Sequence, residues 1–172
     1  MTSILHFRKH LPSPPVAAVV PGFHVRTLQV RADVPAWLKL RDRVMADERP
    51  AARRWSAADF QADMCSKPWW RPDRSWVVVP DDATSEPVSF CGAVTLALRE
   101  GTTQTVPVVH WLMVDPDFRR RGIAKMLISH LECAACDDGW REVQLETHAG
   151  WSAAVAFYQS IGYAPLRDPS PR

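Results

Sequence analysis

The run Arg119-Arg120-Arg121-Gly122-Ile123-Ala124 has the residue types and spacing to hold a phosphate. It follows the apolar stretch Val108-Val109-His110-Trp111-Leu112-Met113-Val114 and opens a segment of helical periodicity from Ile123 to about Cys136. The chain therefore reads strand, short turn, helix start. The first amides of a helix lack internal partners and sit at the positive end of its dipole, which suits an anion. Gly122 lets backbone approach a ligand closely, small Ala124 keeps the next position open, and three arginines add charge of the right sign. The same apolar strand carries a second chemical group, His110. An unperturbed imidazole, with a pKa near ~6.5, suits a base at neutral pH. Alternation along a regular strand puts His110 on the face of Val108, Leu112 and Val114. The competing reading is a histidine hydrogen-bonded within the sheet.

Two familiar phosphate motifs are excluded. There is no G-x-x-x-x-G-K-[ST] run, and no G-x-G-x-x-G followed some twenty positions later by an acidic residue. What remains, [QR]-x-x-G-x-[GA] directly after a strand, resembles the acetyl-CoA pyrophosphate loop of the GNAT superfamily of acyl-CoA-dependent N-acyltransferases. A second segment strengthens the resemblance. Trp151 to Pro165 reads Trp-Ser-Ala-Ala-Val-Ala-Phe-Tyr-Gln-Ser-Ile-Gly-Tyr-Ala-Pro. It is similar to the superfamily's late motif, with Tyr158 on its tyrosine and Gly162-Tyr163 on its terminal pair. One helix and one strand separate the two motifs, as in the family. The resemblance covers about residues 75–167.

The resemblance implies an α/β (α+β) fold: a mostly antiparallel, twisted central sheet of six to seven strands flanked by about four helices. It also implies acetyl-CoA as the acyl donor. By matching position, the amide of Leu112 meets the acyl carbonyl, Met113 and Val114 bond the pantetheine arm through their backbones, and the loop Arg119, Arg120, Arg121, Gly122, Ile123, Ala124 and Lys125 holds the pyrophosphate. Tyr158 matches the acid near the leaving sulfur. Unperturbed values of about 10 for tyrosine and about 8.5 for a thiol make full proton transfer uphill by ~1.5 units, roughly 2 kcal/mol, so a hydrogen bond to sulfur is the milder role. Tyr158 packed on a helix face with a satisfied hydroxyl is the bland alternative. Many members carry a glutamate in the strand before the loop, but residues 106–114 contain no acid. His110-Trp111-Leu112-Met113-Val114 is instead similar to the arylalkylamine branch, where histidines on this strand help deprotonate the amine. Trp151 stands where the family usually has an asparagine that bonds the cofactor.

These groups need elements to position them. Phe23–Val30 reads as a strand and Asp33 as the cap of a helix with the stripe Trp37, Leu38, Leu40, Val44, Met45. Ser56, with Asp59 three residues on, caps a second helix to about Met64. Strands follow at 76–80, 88–98 and 105–114, with a hairpin turn at 100–102 between the last two. After the loop come the helix from Ile123, a strand at 142–147, a helix at 152–160 closed by Gly162, and an edge strand at 164–167. His148 reads as a solvated loop residue, with a place in a proton path as the alternative, and His130 reads as packing. The resemblance implies an acceptor pocket drawn from the first helices and the loop after them, a region holding Trp37, Trp55, Trp69 and Trp70. Trp69 and Trp70 are the candidates for binding an amine; core packing is the alternative for all four.

At 172 residues the chain is long enough for one domain with a real core, expected over residues 21–172, with residues 1–20 an extended or flexible lead-in broken by Pro12, Pro14, Pro15 and Pro21. The net charge of +2 is too small to argue for nucleic acid or an anionic membrane, and neither is expected as a partner. No apolar run approaches a membrane span. Cys65, Cys91, Cys133 and Cys136 form no disulfide framework, and Cys133-Ala-Ala-Cys136 lacks the second pair a metal site needs. No metal is expected. The sum is a cytoplasmic N-acetyltransferase, monomer or homodimer, acting on a small-molecule primary amine. A catalytically silent acyl-CoA sensor and a protein acetyltransferase are the alternatives.

Overall fold

Alternate apolar residues of β3 pack on opposite faces of one seven-stranded sheet. A computed structural model describes residues 3–83, 88–100 and 105–166. The strands are β1 (Ile4–His10), β2 (Phe23–Thr27), β3 (Ser75–Pro80), β4 (Gly92–Glu100), β5 (Thr105–Val114), β6 (Glu142–His148) and β7 (Ala164–Pro165). The helices are α1 (Val30–Glu48), α2 (Ala57–Phe60), α3 (Ile123–Asp137) and α4 (Ser152–Ser160). Spatial order is β2-β3-β4-β5-β6-β1-β7. Every neighbouring pair is antiparallel except β5 and β6, which run parallel. This is the mostly antiparallel α/β sheet the sequence implies.

Each face carries its own core. Val78, Val94, Leu96, Val109 and Leu145 pack under α3 (Ile123, Leu127, Leu131) and α4 (Tyr158). Val77, Val79, Ala93 and Met113 pack under Trp37, Leu40 and Val44 of α1 and Phe60 of α2. Each fully buried side chain of this kind is worth about 1.5–3 kcal/mol.

Several expectations shift. Gln29, not Asp33, caps α1; Asp33 lies one turn inside, where its carboxylate accepts from the Gln29 amide at 2.7 Å and from Arg26. Ser56 does cap α2, in a reciprocal capping box with Asp59, and the chain continues as a wider π-helical turn at Gln61–Cys65. β4 starts at Gly92 rather than Val88. Gly101 and Thr102, expected in a hairpin turn, lie outside the described residues, as does Arg167. Gly162, at φ 94°, closes α4: its amide bonds the Gln159 carbonyl while the Tyr163 amide bonds that of Tyr158.

The largest correction concerns residues 1–20. Ile4–His10 is a strand between β6 and β7, with seven residues paired to β6. Phe7 and Leu11 are buried in the core. Lys9 donates to both oxygens of buried Glu132 on α3 at 2.8 Å. The prolines that argued for a loose lead-in act only after Leu11. Even there the chain is fastened along α3: the Cys133 thiol donates to the Pro15 carbonyl, and the Ala18 amide to Ser129 Oγ at 2.7 Å.

Candidate active site

The site begins with a defect in β5. Thr95 of β4 pairs with His110, but Ala93, two residues away, pairs with Met113. β5 thus holds one residue too many over this span, a β-bulge, and Trp111 absorbs it at φ 50°. The bulge reverses the alternation beyond it. His110 shares the α1 face with Val108 and Met113, while Leu112 and Val114 turn to the α3 face, so the expected common face of His110, Leu112 and Val114 is corrected. β5 and β6 separate just before the bulge. The two pair only at Val108–Gln144 and Val109–Leu145, and a cleft opens beyond.

The cleft has two arms. The larger, about 840 Å³, is lined by Trp69, Val108, His110, Trp111 and the end of β6. The smaller, about 490 Å³, is lined by α1, Leu112, Met113, the start of α4 and Tyr158. Val109, Trp111, Glu146, Thr147, His148 and Trp151 line both, so the arms meet there.

The histidines lie at or beside this junction. The His110 ring sits 5.0 Å from Trp69 and 5.8 Å from Trp111, centre to centre, and makes no hydrogen bond among the described residues. No bond to the sheet among the described residues supports the reading of a histidine hydrogen-bonded within it. Burial pushes its imidazole down to about 4 rather than the ordinary 6.5, so it is neutral at neutral pH with a free lone pair. His148 is not a solvated loop residue: it ends β6, half-buried against Trp151, and its buried Nδ1 has no partner among the described residues. His130 does serve packing, bonded to the Met126 carbonyl in its own helix. Tyr158 is 8% exposed, and its hydroxyl bonds nothing among the described residues. Burial holds its phenol well above the usual tyrosine range, so it stays protonated and can donate.

The turn before α3 is shaped as expected. Arg120 and Gly122 take left-handed φ values of 63° and 87°. The first helical amide with a partner is that of Met126, bonded to the Gly122 carbonyl, and the amides of residues 120–125 donate to no acceptor among the described residues. An open row of amides at a helix start fits a pyrophosphate. Arg119 is placed otherwise. Its amide bonds the Pro116 carbonyl, and its guanidinium pairs with Asp47 and Glu48 at the end of α1, so its side chain braces the loop instead of facing a phosphate. Arg120 and Arg121 are exposed, Arg121 over the Phe118 ring. Of the tryptophans, Trp69 lines the larger arm, while Trp70 packs on Phe60 and Trp69. Trp37 is core.

Sequence reasoning missed Trp111 and Arg41, which is buried beside the smaller arm. An uninterrupted apolar strand carries no bulge signal, and Arg41 reads as one more basic residue on a helix.

The family described as the acetyltransferase (GNAT) family matches residues 37–163. The mycothiol acetyltransferase of Thermobispora bispora is 27% identical over 166 residues, covering 94% of this chain and 53% of that protein. The [Ribosomal protein bS18]-alanine N-acetyltransferase of Salmonella typhimurium is 42% identical over 52 residues, covering 30% of this chain and 35% of that protein. The crystal structure of a GCN5-related N-acetyltransferase from Sphaerobacter thermophilus matches with a TM-score of 0.73 at 19% identity, covering 95% of this chain and 48% of that one, a likeness of fold. This chain spans about half, or less, of the length of these relatives.

Proposed function

Because the chain belongs to the GNAT acetyltransferase family, we propose that it moves an acetyl group from acetyl-CoA directly to a small-molecule primary amine within a ternary complex. The observation that carries this reading is the two-armed cleft, with a protonated phenol in one arm and a neutral imidazole in the other.

Acetyl-CoA supplies an acyl group activated as a thioester. The amides of Arg120 to Lys125 hold its pyrophosphate, and Leu112, Met113 and Val114, freed from β6 by the splay, bond the arm that follows. The Leu112 amide is the donor aimed at the acyl oxygen, where charge develops. On the amine side, His110 accepts the proton that the attacking nitrogen must lose, directly or through water. On the sulfur side, Tyr158 donates a hydrogen bond. Burial widens the gap between phenol and thiol beyond its unperturbed ~1.5 units, so Tyr158 keeps its proton and steadies the leaving thiolate by that bond.

The test is product formation. Purified protein, acetyl-CoA and a panel of small amines and peptides should release free thiol and yield acetylated amine by mass spectrometry. Tyr158→Phe should lower kcat about 10²-fold while acetyl-CoA affinity stays within about twofold. Tight acetyl-CoA binding with no acetylated product from any amine would replace this reading with that of a silent sensor, and products from peptides alone would make the chain a protein acetyltransferase.

A further inference from the structure

Among the charged side chains lining the cleft, Arg41 alone is buried, at 5% exposure, and the proposed transfer gives it no task. It lies on a stripe of α1 in which Arg41, Val44, Met45 and Glu48 all line the smaller arm. Its guanidinium lies 4.3 Å from the Trp55 ring centre and 5.5 Å from that of Trp111, the residue that forms the bulge. Among the described residues only Nη1 makes hydrogen bonds, to the Asp42 carboxylate at 3.3 Å and the Arg53 carbonyl at 3.2 Å. Buried Nε has no acceptor, and no bond from Nη2 is formed among the described residues. Asp42 is itself shared with Arg54 at 3.9 Å.

A buried cation with open donors is unfavourable unless something completes its hydrogen bonds. The planar fork of arginine matches a carboxylate, and flanking indoles hold that plane in place. Arg41 lies over Trp111, which lines both arms, so a group bound at Arg41 sits beside their junction and belongs to a molecule that also reaches the transfer site. Val44, Met45, Trp111 and Trp151 give this arm an apolar and aromatic wall, with Glu48, Arg49 and Glu146 as its other charged residues.

We propose that Arg41 receives a carboxylate of the acceptor, which makes the acceptor class free amino acids with an apolar or aromatic side chain. Simple arylalkylamines lack the carboxylate, and a protein N-terminus offers an amide in its place. This inference deepens the reading of the chain as an amine acetyltransferase and rests on it.

Binding, not turnover, tests it. Calorimetry in the presence of CoA would compare phenylalanine, 2-phenylethylamine and phenylalaninamide, then tryptophan, tryptamine and tryptophanamide. The acid should bind at least about tenfold tighter than its amine and amide partners, the scale of a hydrogen-bonded charge. Arg41→Gln should erase that preference, and Arg41→Lys, which keeps the charge without the fork, should retain part of it. CoA affinity equal to wild type in both variants shows that the site is intact. If Arg41→Gln does not fold, the wild-type preference and Arg41→Lys decide. A wild type that binds the acid no tighter than the amine and amide overturns the proposal, as does a preference that survives in Arg41→Gln. Acid-selective binding without acetylation would leave Arg41 its role and overturn the transfer reaction instead.

Discussion

His110 shows how far one residue's surroundings move its chemistry. A free imidazole would titrate inside the working pH range; between Trp69 and Trp111, burial lowers it to about 4. The neutral form is the base and is present from pH 5 to 8, but an acceptor near 4 is too weak to strip a free ammonium of pKa ~10, so it takes the proton from the nitrogen as the N–C bond forms. His110→Gln should therefore lower kcat/KM about 10²-fold across that range without changing the profile's shape. A break near 6.5 that vanishes in the variant would mean that the ring is solvated; an unchanged rate would leave it packing alone. Stability gives a second readout. The unfolded histidine binds its proton near ~6.5 and the folded one near 4, so the unfolded state gains protons first as pH falls. The contribution is complete above 6.5 and lost progressively toward 4, and the wild-type Tm should drop more steeply through that window than that of His110→Gln.

At the scale of an element, the turn into α3 combines a backbone only glycine adopts easily with amides that have no internal acceptor. A side chain at Gly122 would sit at φ 87°, its Cβ 3.2 Å from Val20 Cγ2. Gly122→Val should cost about 1–3 kcal/mol of stability from backbone strain and weaken acetyl-CoA binding at least tenfold. Gly139, at the other end of the same helix, has φ 89° with nothing within 4 Å. Gly139→Val is therefore the control: comparable strain, unchanged acetyl-CoA affinity. Equal affinity for all three proteins by calorimetry would remove the turn from the cofactor site.

At the scale of the whole molecule, the first strand of the chain fills the slot between β6 and the last strand. Its removal leaves β6, whose end carries His148, without its partner on that side, and leaves Glu132 buried without Lys9. Breaking a buried pair from one side costs about 3–5 kcal/mol. A chain beginning at residue 12 should unfold at least 10 °C lower than the full chain or fail to fold, and a peptide of residues 3–11 should restore it by adding the strand back. A truncated chain with the full-length Tm would show that β1 is dispensable.

The sequence by itself determined what depends on neighbours along the chain. The helix start after Gly122, the capping box of Ser56 and Asp59, the glycine after α4 and the extent of β5 are all local patterns, and each is found in place. The family itself was legible in two such patterns around Gly122 and Tyr158. Tertiary structure decided the rest. The bulge at Trp111 arises from the register of β5 against β4, which no property of β5 alone reveals. The place of β1 depends on pairing with residues more than 130 positions away, and proline content read locally pointed the wrong way. Arg41 became notable only when folding buried it between two indoles that lie 14 and 70 residues along the chain. Local patterns specify which elements form, because capping and periodicity act over a few residues. Which side chains share a cleft is settled by sheet register and burial, which the whole chain determines together.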